Sequence, residues 1–253
     1  PVQRFGALVF ALAAPADLPQ ADMPQGGDGR YVRPVKFGLG GVPFGNEFEV
    51  VSDEDAYKTL EAAWNAGVRY YDVSPWYGLG LGERRYGNFL HNKNRDSYVL
   101  SSKVGKLLKA SPHNNAKSNF PYSPSPNNVV FDYTADGVRR SIEDSLQRMG
   151  VSRLDIAFVH DPDDFYVEAL DHTFPALEEL RAEGMITSYG AGMNQSAMLT
   201  RFVERTDLDV VMLAGRYTLL EQGALSDLLP ACLERNVSIV AAGVFNSGIL
   251  ATD

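Results

Sequence analysis

VRYYDVSPWYGLGLG, residues 68–82, opens as a short β-branched and aromatic run, ends that run on Asp72, and passes into a glycine-rich loop. The residues before it read as a helix. Ala56, Leu60, Ala63 and Trp64 recur on one helical face. Ser52 with Asp55 forms a capping-box start, and Gly67 forms a stop. Helix then strand then loop fits two architectures: an open doubly wound sheet or a closed barrel. The glycines separate them. A dinucleotide-binding open sheet carries G-x-G-x-x-G after its first strand. Gly78, Gly80 and Gly82 alternate at the wrong spacing, and Gly38-Leu-Gly-Gly-Val-Pro43 puts proline where the third glycine belongs. The pattern therefore predicts a barrel.

Working outward, strand-like runs begin near Val35, Val68, Ser97, Leu154, Ile186, Asp209 and Val237. Helix-period segments follow six of them. Val138, Ile142, Leu146 and Met149 form one face ending at Gly150; Leu170, Phe174, Leu177 and Leu180 form another ending at Gly184. Alternation of near-continuous apolar strands with helices means a parallel sheet covered by helices. The expected fold class is α/β, a (β/α)8 TIM barrel with about seven of its eight strands in this chain. One interval is long, and its excess lies in Gly105 to Asp132, rich in Lys, Pro, Asn and Ser. It reads as a structureless functional loop.

The 253 residues divide into an N-terminal extension, 1–30, and a barrel domain, 31–253, incomplete at its C-terminus. The chain starts at Pro1, and Phe5 to Ala14 is a short apolar run after Arg4, followed by small residues. Residues 4–16 thus look like the tail of a signal peptide, and 17–30 like a linker. A cytoplasmic protein is expected, with export as the alternative. Counting strands, the whole protein is expected to be longer by roughly 60–90 residues, about two further strand–helix units, because an unclosed barrel leaves a strand edge exposed.

Net charge is −9, so no nucleic-acid partner is expected. There is no apolar stretch long enough for a membrane span. One cysteine, Cys232, and four histidines are too few for a Cys/His zinc site, and no metal is expected. His160-Asp-Pro-Asp163-Asp164 has no spaced partner carboxylates and reads as a solvated loop. Cys232 reads as helix packing, and the oligomeric state is left open.

In a barrel, chemistry sits at the C-terminal ends of the strands. Those ends carry Asp72, with Tyr77 five residues on, then Lys103, His160 and Asn194. Closure makes them neighbours, and as a set they suit carbonyl reduction. A tyrosine hydroxyl near pKa 10 is a poor proton donor at neutral pH, and a lysine ammonium beside it lowers that value. A buried lysine needs a carboxylate, which Asp72 supplies. A histidine can donate to the carbonyl oxygen. The hydride has to come from a cofactor.

Asp72, Tyr77, Lys103 and His160 resemble the catalytic tetrad of the aldo-keto reductase superfamily, including the spacing of five from Asp to Tyr. Gly38-Leu-Gly-Gly41 resembles its first strand, and Met193-Asn194 its strand-five nicotinamide contact. Ala214-Gly-Arg-Tyr-Thr-Leu-Leu-Glu-Gln222 and Asn246-Ser-Gly-Ile-Leu-Ala-Thr252 look like the L-fucose (D-threo-aldose) 1-dehydrogenase and pyridoxal 4-dehydrogenase branch. The resemblance implies an NADP- or NAD-dependent dehydrogenase of a small carbonyl or sugar substrate, with Tyr77 as general acid or base. It implies cofactor contacts at Gly41, Val42 and Asn194, and at the loop Phe245-Asn246-Ser247-Gly248. Phe44, Trp76, Phe120 and Tyr122 are candidates for the substrate wall. Two positions depart from the family pattern: Ala214 stands where many members have glutamine, and Ala242 where many have an aromatic residue. Arg216 or Phe245 is expected to compensate. Two other functions remain open on the sequence: a cofactor-binding regulatory subunit without significant turnover, and a Schiff-base aldolase using Lys103.

Overall fold

The first described strand is β1 (Val9–Ala11), three residues within the segment read as an N-terminal extension. The structure, a computed structural model, describes residues 9–11, 37–111 and 120–251, so the rest of the signal-like segment and its linker lie outside the described residues. After β1 come β2 (Phe37–Gly40), helix α1 (Asp53–Asn65), β3 (Tyr70–Asp72), α2 (Leu81–Leu90) and β4 (Val99–Val104). A hairpin follows, β5 (Lys106–Ala110) and β6 (Asn127–Phe131), then α3 (Ala135–Met149) and β7 (Leu154–His160). The short turn α4 (Tyr166–Glu168) runs through a π-helical stretch into α5 (Phe174–Ala182). β8 (Ile186–Met193), α6 (Ser196–Arg205), β9 (Val210–Ala214), α7 (Leu228–Glu234) and β10 (Ser238–Ala242) complete the alternation.

The local signals act as their chemistry requires. The Ser52 hydroxyl accepts the Asp55 N–H (3.0 Å) and donates to the Asp55 carboxylate (2.7 Å), which starts α1. Thr134 caps α3 by accepting the Gly137 N–H (3.1 Å), and Gly150, at φ +65°, ends it in a left-handed turn.

Seven strands run parallel in the order β10-β9-β8-β7-β4-β3-β2. The open edge expected from seven strands is paired. β1 lies antiparallel between β2 and β10, with Ala11 opposite both Phe37 and Ala241, and closes the barrel. A bare edge would leave a row of unpaired N–H and C=O groups, and three residues of extended chain are enough to bridge it.

The loop expected over Gly105 to Asp132 is corrected at both ends. β5 and β6 pair antiparallel, with Leu107 opposite Val130 and Leu108 opposite Val129. These apolar cross-strand pairs hold the hairpin against a polar, proline-rich middle whose composition hides it. Residues 112–119 lie outside the described residues.

Two packed layers result. Leu60, Phe89, Ile142, Leu177 and Phe202 fill the space between helices and sheet. Tyr70, Ile156, Phe158, Val210, Met212, Val240 and Ala242 fill the barrel. Side chains two apart on a strand share a face. Tyr70 therefore carries Asp72 to the inner face, and Phe158 carries His160, each at the C-terminal end of its strand.

Candidate active site

Lys103 and Asp72 meet inside the barrel mouth. Lys103 Nζ donates to Asp72 Oδ2 (2.6 Å) and to the Val73 carbonyl (2.9 Å). Ser101 Oγ donates to the other carboxylate oxygen of Asp72 (2.6 Å). The two side chains are only 2% and 1% exposed, so the charges are neutralised by each other rather than by water. Burial pushes the Asp72 carboxyl above its ordinary range, against the pull of Lys103 and Ser101. Burial would push Lys103 down, but the charge and hydrogen bonds of Asp72 and Tyr77 outweigh it and hold the ammonium above its ordinary value. A lysine held protonated in this way is no Schiff-base nucleophile, so the aldolase reading loses its basis.

Tyr77 stands beside this pair, with Lys103 Nζ 4.7 Å from its ring centre. From the Lys103 charge alone, the tyrosine hydroxyl is expected below its ordinary value. In the structure burial dominates and pushes it up to about 12, although Lys103 does pull it down. The close packing of the surrounding loops causes this. Gly78, at φ +65°, lies so tightly against Gly45 that a Cβ at either position would strike the other's backbone.

The His160 ring lies perpendicular to that of Tyr77, with 5.9 Å between ring centres. Its Nδ1 is 3.2 Å from Ser74 Oγ, and Ser74 Oγ also accepts the Trp76 N–H (3.1 Å). Tyr133 donates to the His160 carbonyl (2.7 Å). Burial, then the charges of Lys106 and Lys103, hold the imidazole well below its ordinary pKa, so it is neutral at pH 7. Trp76 meets His160 edge-on (5.6 Å) and Phe120 edge-on (5.7 Å), and Phe120 also lies 6.0 Å from Tyr77. Trp76 and Phe120 thus wall the space beside Tyr77 and His160. Phe44 is buried instead against Tyr86, and Tyr122 is exposed at the rim.

Two charged groups that sequence reasoning passed over complete the mouth. Lys106 Nζ lies 3.9 Å from the Trp76 ring centre and donates to Asp161 Oδ2 (2.7 Å). The same carboxylate oxygen is 3.4 Å from His160 Nε2. Lys103 lies on β4 and Lys106 opens β5. Between the two strands Gly105 turns the chain at φ +99°, where a Cβ would collide with the Tyr133 ring, and so Lys106 reaches the same mouth as Lys103. Asp161 had read as part of a solvated acidic loop; its contact with Lys106 depends on the hairpin, which the sequence concealed.

The residues expected to meet a cofactor lie around the same rim. Gly41 is buried against the Asp72 carbonyl and Val73, and Val42 is half-buried. Asn194, Arg216, Phe245 and Ser247 are exposed, with Arg216 3.3 Å from Glu221. Asn246, Ser247 and Gly248 form a left-handed turn. The N–H groups of Asn246 and Gly248 donate to carbonyls within this loop, so they are not aimed outward as a phosphate cradle. Asn246 Oδ1, by contrast, is buried without a hydrogen-bond partner, as fits an acceptor whose donor arrives with a bound molecule. Among the described residues no group of three or more His, Cys, Asp or Glu could hold a metal ion, and no helix is long and apolar enough to cross a membrane.

Comparison with known proteins identifies the family and the fold. The chain is 48% identical over 219 residues to a D-threo-aldose 1-dehydrogenase from a Pseudomonas species, covering 85% of this chain and 67% of that protein. It is 40% identical over 236 residues to a pyridoxal 4-dehydrogenase from Microbacterium luteolum, covering 85% and 68%. A solved aldo-keto reductase from Klebsiella pneumoniae, in complex with NADPH, superposes with a TM-score of 0.59 at 25% identity, covering 80% of this chain and 61% of that one. Residues 36–253 match the aldo/keto reductase family model, and with most of the chain accounted for in this way, the protein belongs to the aldo/keto reductase family of oxidoreductases.

Proposed function

We propose that the protein interconverts a small polar aldehyde, ketone or lactol with its alcohol or lactone, the substrate being a sugar such as L-fucose or a pyridoxal-like aldehyde. The observation that carries this reading is the Lys103 ammonium, bonded to Asp72 and standing against Tyr77 beside His160. The aldose and pyridoxal dehydrogenases among its relatives support the substrate class.

Aldo-keto reductases use a nicotinamide cofactor, which would supply the hydride as NAD(P)H in reduction and accept it as NAD(P)+ in oxidation. Asn194, Asn246 and Arg216 are the residues we assign to holding it. In reduction, Tyr77 Oη gives its proton to the substrate oxygen and is reprotonated from solvent. Its hydroxyl, pushed up to about 12, keeps that proton throughout neutral pH. In oxidation the phenolate takes the proton of the substrate hydroxyl. Lys103 stabilises that phenolate, and Asp72 keeps Lys103 charged. His160, neutral, donates to the substrate oxygen and orients it. Trp76 and Phe120 exclude water from one side.

The test is a panel of aldoses, pyridoxal and simple aldehydes, followed by nicotinamide absorbance with NAD and with NADP. Turnover of L-fucose or pyridoxal that is lost in Tyr77→Phe supports the reading. Cofactor binding without turnover of any member of the panel overturns it, as does full activity of Tyr77→Phe.

A further inference from the structure

The pair Lys106–Asp161 lies outside the tetrad yet touches it. We infer that Asp161, held in place by Lys106, is a positioning residue that keeps the His160 proton on Nε2, where it can be handed to the substrate oxygen. This rests on the reading of His160 as the group that orients the carbonyl.

A neutral imidazole carries one N–H, on either Nδ1 or Nε2. Two contacts bear on the choice. Nε2 faces Asp161 Oδ2 at 3.4 Å. An ionised carboxylate offers only lone pairs, so a lone pair on Nε2 would meet negative charge, whereas an N–H there meets an acceptor. At the other side Nδ1 faces Ser74 Oγ at 3.2 Å. Ser74 Oγ already accepts the Trp76 N–H, which leaves its own hydrogen to donate to Nδ1. A hydroxyl has two lone pairs and one hydrogen, so the Ser74 contact accommodates an unprotonated Nδ1 but admits either tautomer, and the carboxylate at Nε2 is what selects between them.

Asp161 is itself over-determined. Lys106 donates to its carboxylate, its N–H donates to the Gly192 carbonyl (3.0 Å), and its carbonyl accepts from Tyr133 (3.2 Å). Its φ of +43° lies in the left-handed region, which aspartate tolerates better than most side chains and which these contacts fix. Lys106 is in turn fixed over Trp76. The 3.4 Å separation matters, because a good N–H···O bond spans about 2.7–3.2 Å. The carboxylate favours a proton on Nε2 through its charge and forms no hydrogen bond with it, so the N–H is left for a substrate oxygen.

The test uses protein labelled with 15N-histidine. Ring nitrogen shifts report which nitrogen is protonated, and His160→Gln identifies the His160 signals among the four histidines. Asp161→Asn tolerates the same backbone conformation and can present an amide N–H to Nε2. The expected results are an Nε2-protonated His160 in the unaltered protein, a population of the Nδ1-protonated form in Asp161→Asn, and a fall of at least tenfold in kcat with little change in KM. Lys106→Met should show part of both effects and Lys106→Arg neither. Should any variant fail to fold, the tautomer of the unaltered protein decides alone: an Nδ1-protonated His160 overturns the proposal. So does an Asp161→Asn protein in which either the tautomer or kcat is unchanged. The tautomer is read without turnover, so a failure of the enzymatic reading shows separately, as full activity in Tyr77→Phe.

Discussion

Lys103 Nζ and Asp72 Oδ2 lie 2.6 Å apart in a site closed to water, and each is the other's counter-charge. Removing one partner strands a buried charge. Asp72→Ala and Lys103→Met are each expected to cost about 3–5 kcal/mol of folding stability, and the double variant less than the sum. Urea denaturation of the three variants measures this. Additive losses would mean that the pair is not coupled.

Tyr77→Phe removes one oxygen and keeps the ring. Turnover is expected to fall by about 10²–10⁴-fold, with cofactor affinity unchanged by fluorescence titration. The raised hydroxyl also sets the pH dependence. The acid form persists, so the reduction rate should stay flat from about pH 6 to pH 9, while oxidation, which needs the phenolate, should climb by up to about tenfold per unit. A reduction rate that falls across this range would contradict the assignment.

His160 is neutral when folded and has a depressed pKa. The unfolded chain takes up a proton near pH 6.5 and the folded chain does not, so acidification favours unfolding. Stability contributed by this group is full above about pH 6.5 and is lost below it, by up to about 1.4 kcal/mol per unit. Chemical denaturation of the parent and of His160→Gln between about pH 5.5 and pH 7 should show a shallower slope in the variant. Equal slopes would mean that the imidazole is not buried neutral.

At the rim, Asn246→Ala should weaken cofactor binding by about 1 kcal/mol, because it removes an acceptor that no group of the free protein uses. The free protein should also lose some stability, because alanine is less at ease than asparagine in the left-handed turn. Arg216→Ala should weaken cofactor binding by about 0.5–1 kcal/mol, equally for NAD and NADP, because Arg216 is assigned to the nicotinamide end that the two share. Phe245→Ala tests whether Phe245 compensates for the aromatic residue that Ala242 replaces, and should then weaken cofactor binding as well. Calorimetric titration with each nucleotide decides, and unchanged Kd values would remove these residues from the site.

Composition and period carried much of this protein. A rhythm of apolar strands and capped helices, with glycine spacings unfit for a dinucleotide fingerprint, was enough for a barrel. Asp72, Lys103 and His160 were legible because polar residues ending apolar strands have few other reasons to be there, and barrel closure makes strand ends neighbours. What the sequence could not supply were relations that only long-range packing creates. β1 is three residues of an apolar run that read as the tail of a signal peptide, and it serves as a strand because two barrel edges need hydrogen-bond partners. Lys106 reaches the mouth because Gly105, packed against the Tyr133 ring, turns the chain from β4 into β5. Asp161 looked solvated until the β5–β6 hairpin brought Lys106 to it. The Tyr77 hydroxyl was read from a single neighbouring charge, whereas its acidity is set by burial, which depends on every element packed around it. Sequence alone therefore determined which groups meet at the mouth, through periodicity and strand order. Tertiary structure decided their protonation and their supporting contacts, because desolvation and hydrogen-bond geometry arise only once distant segments close on one another.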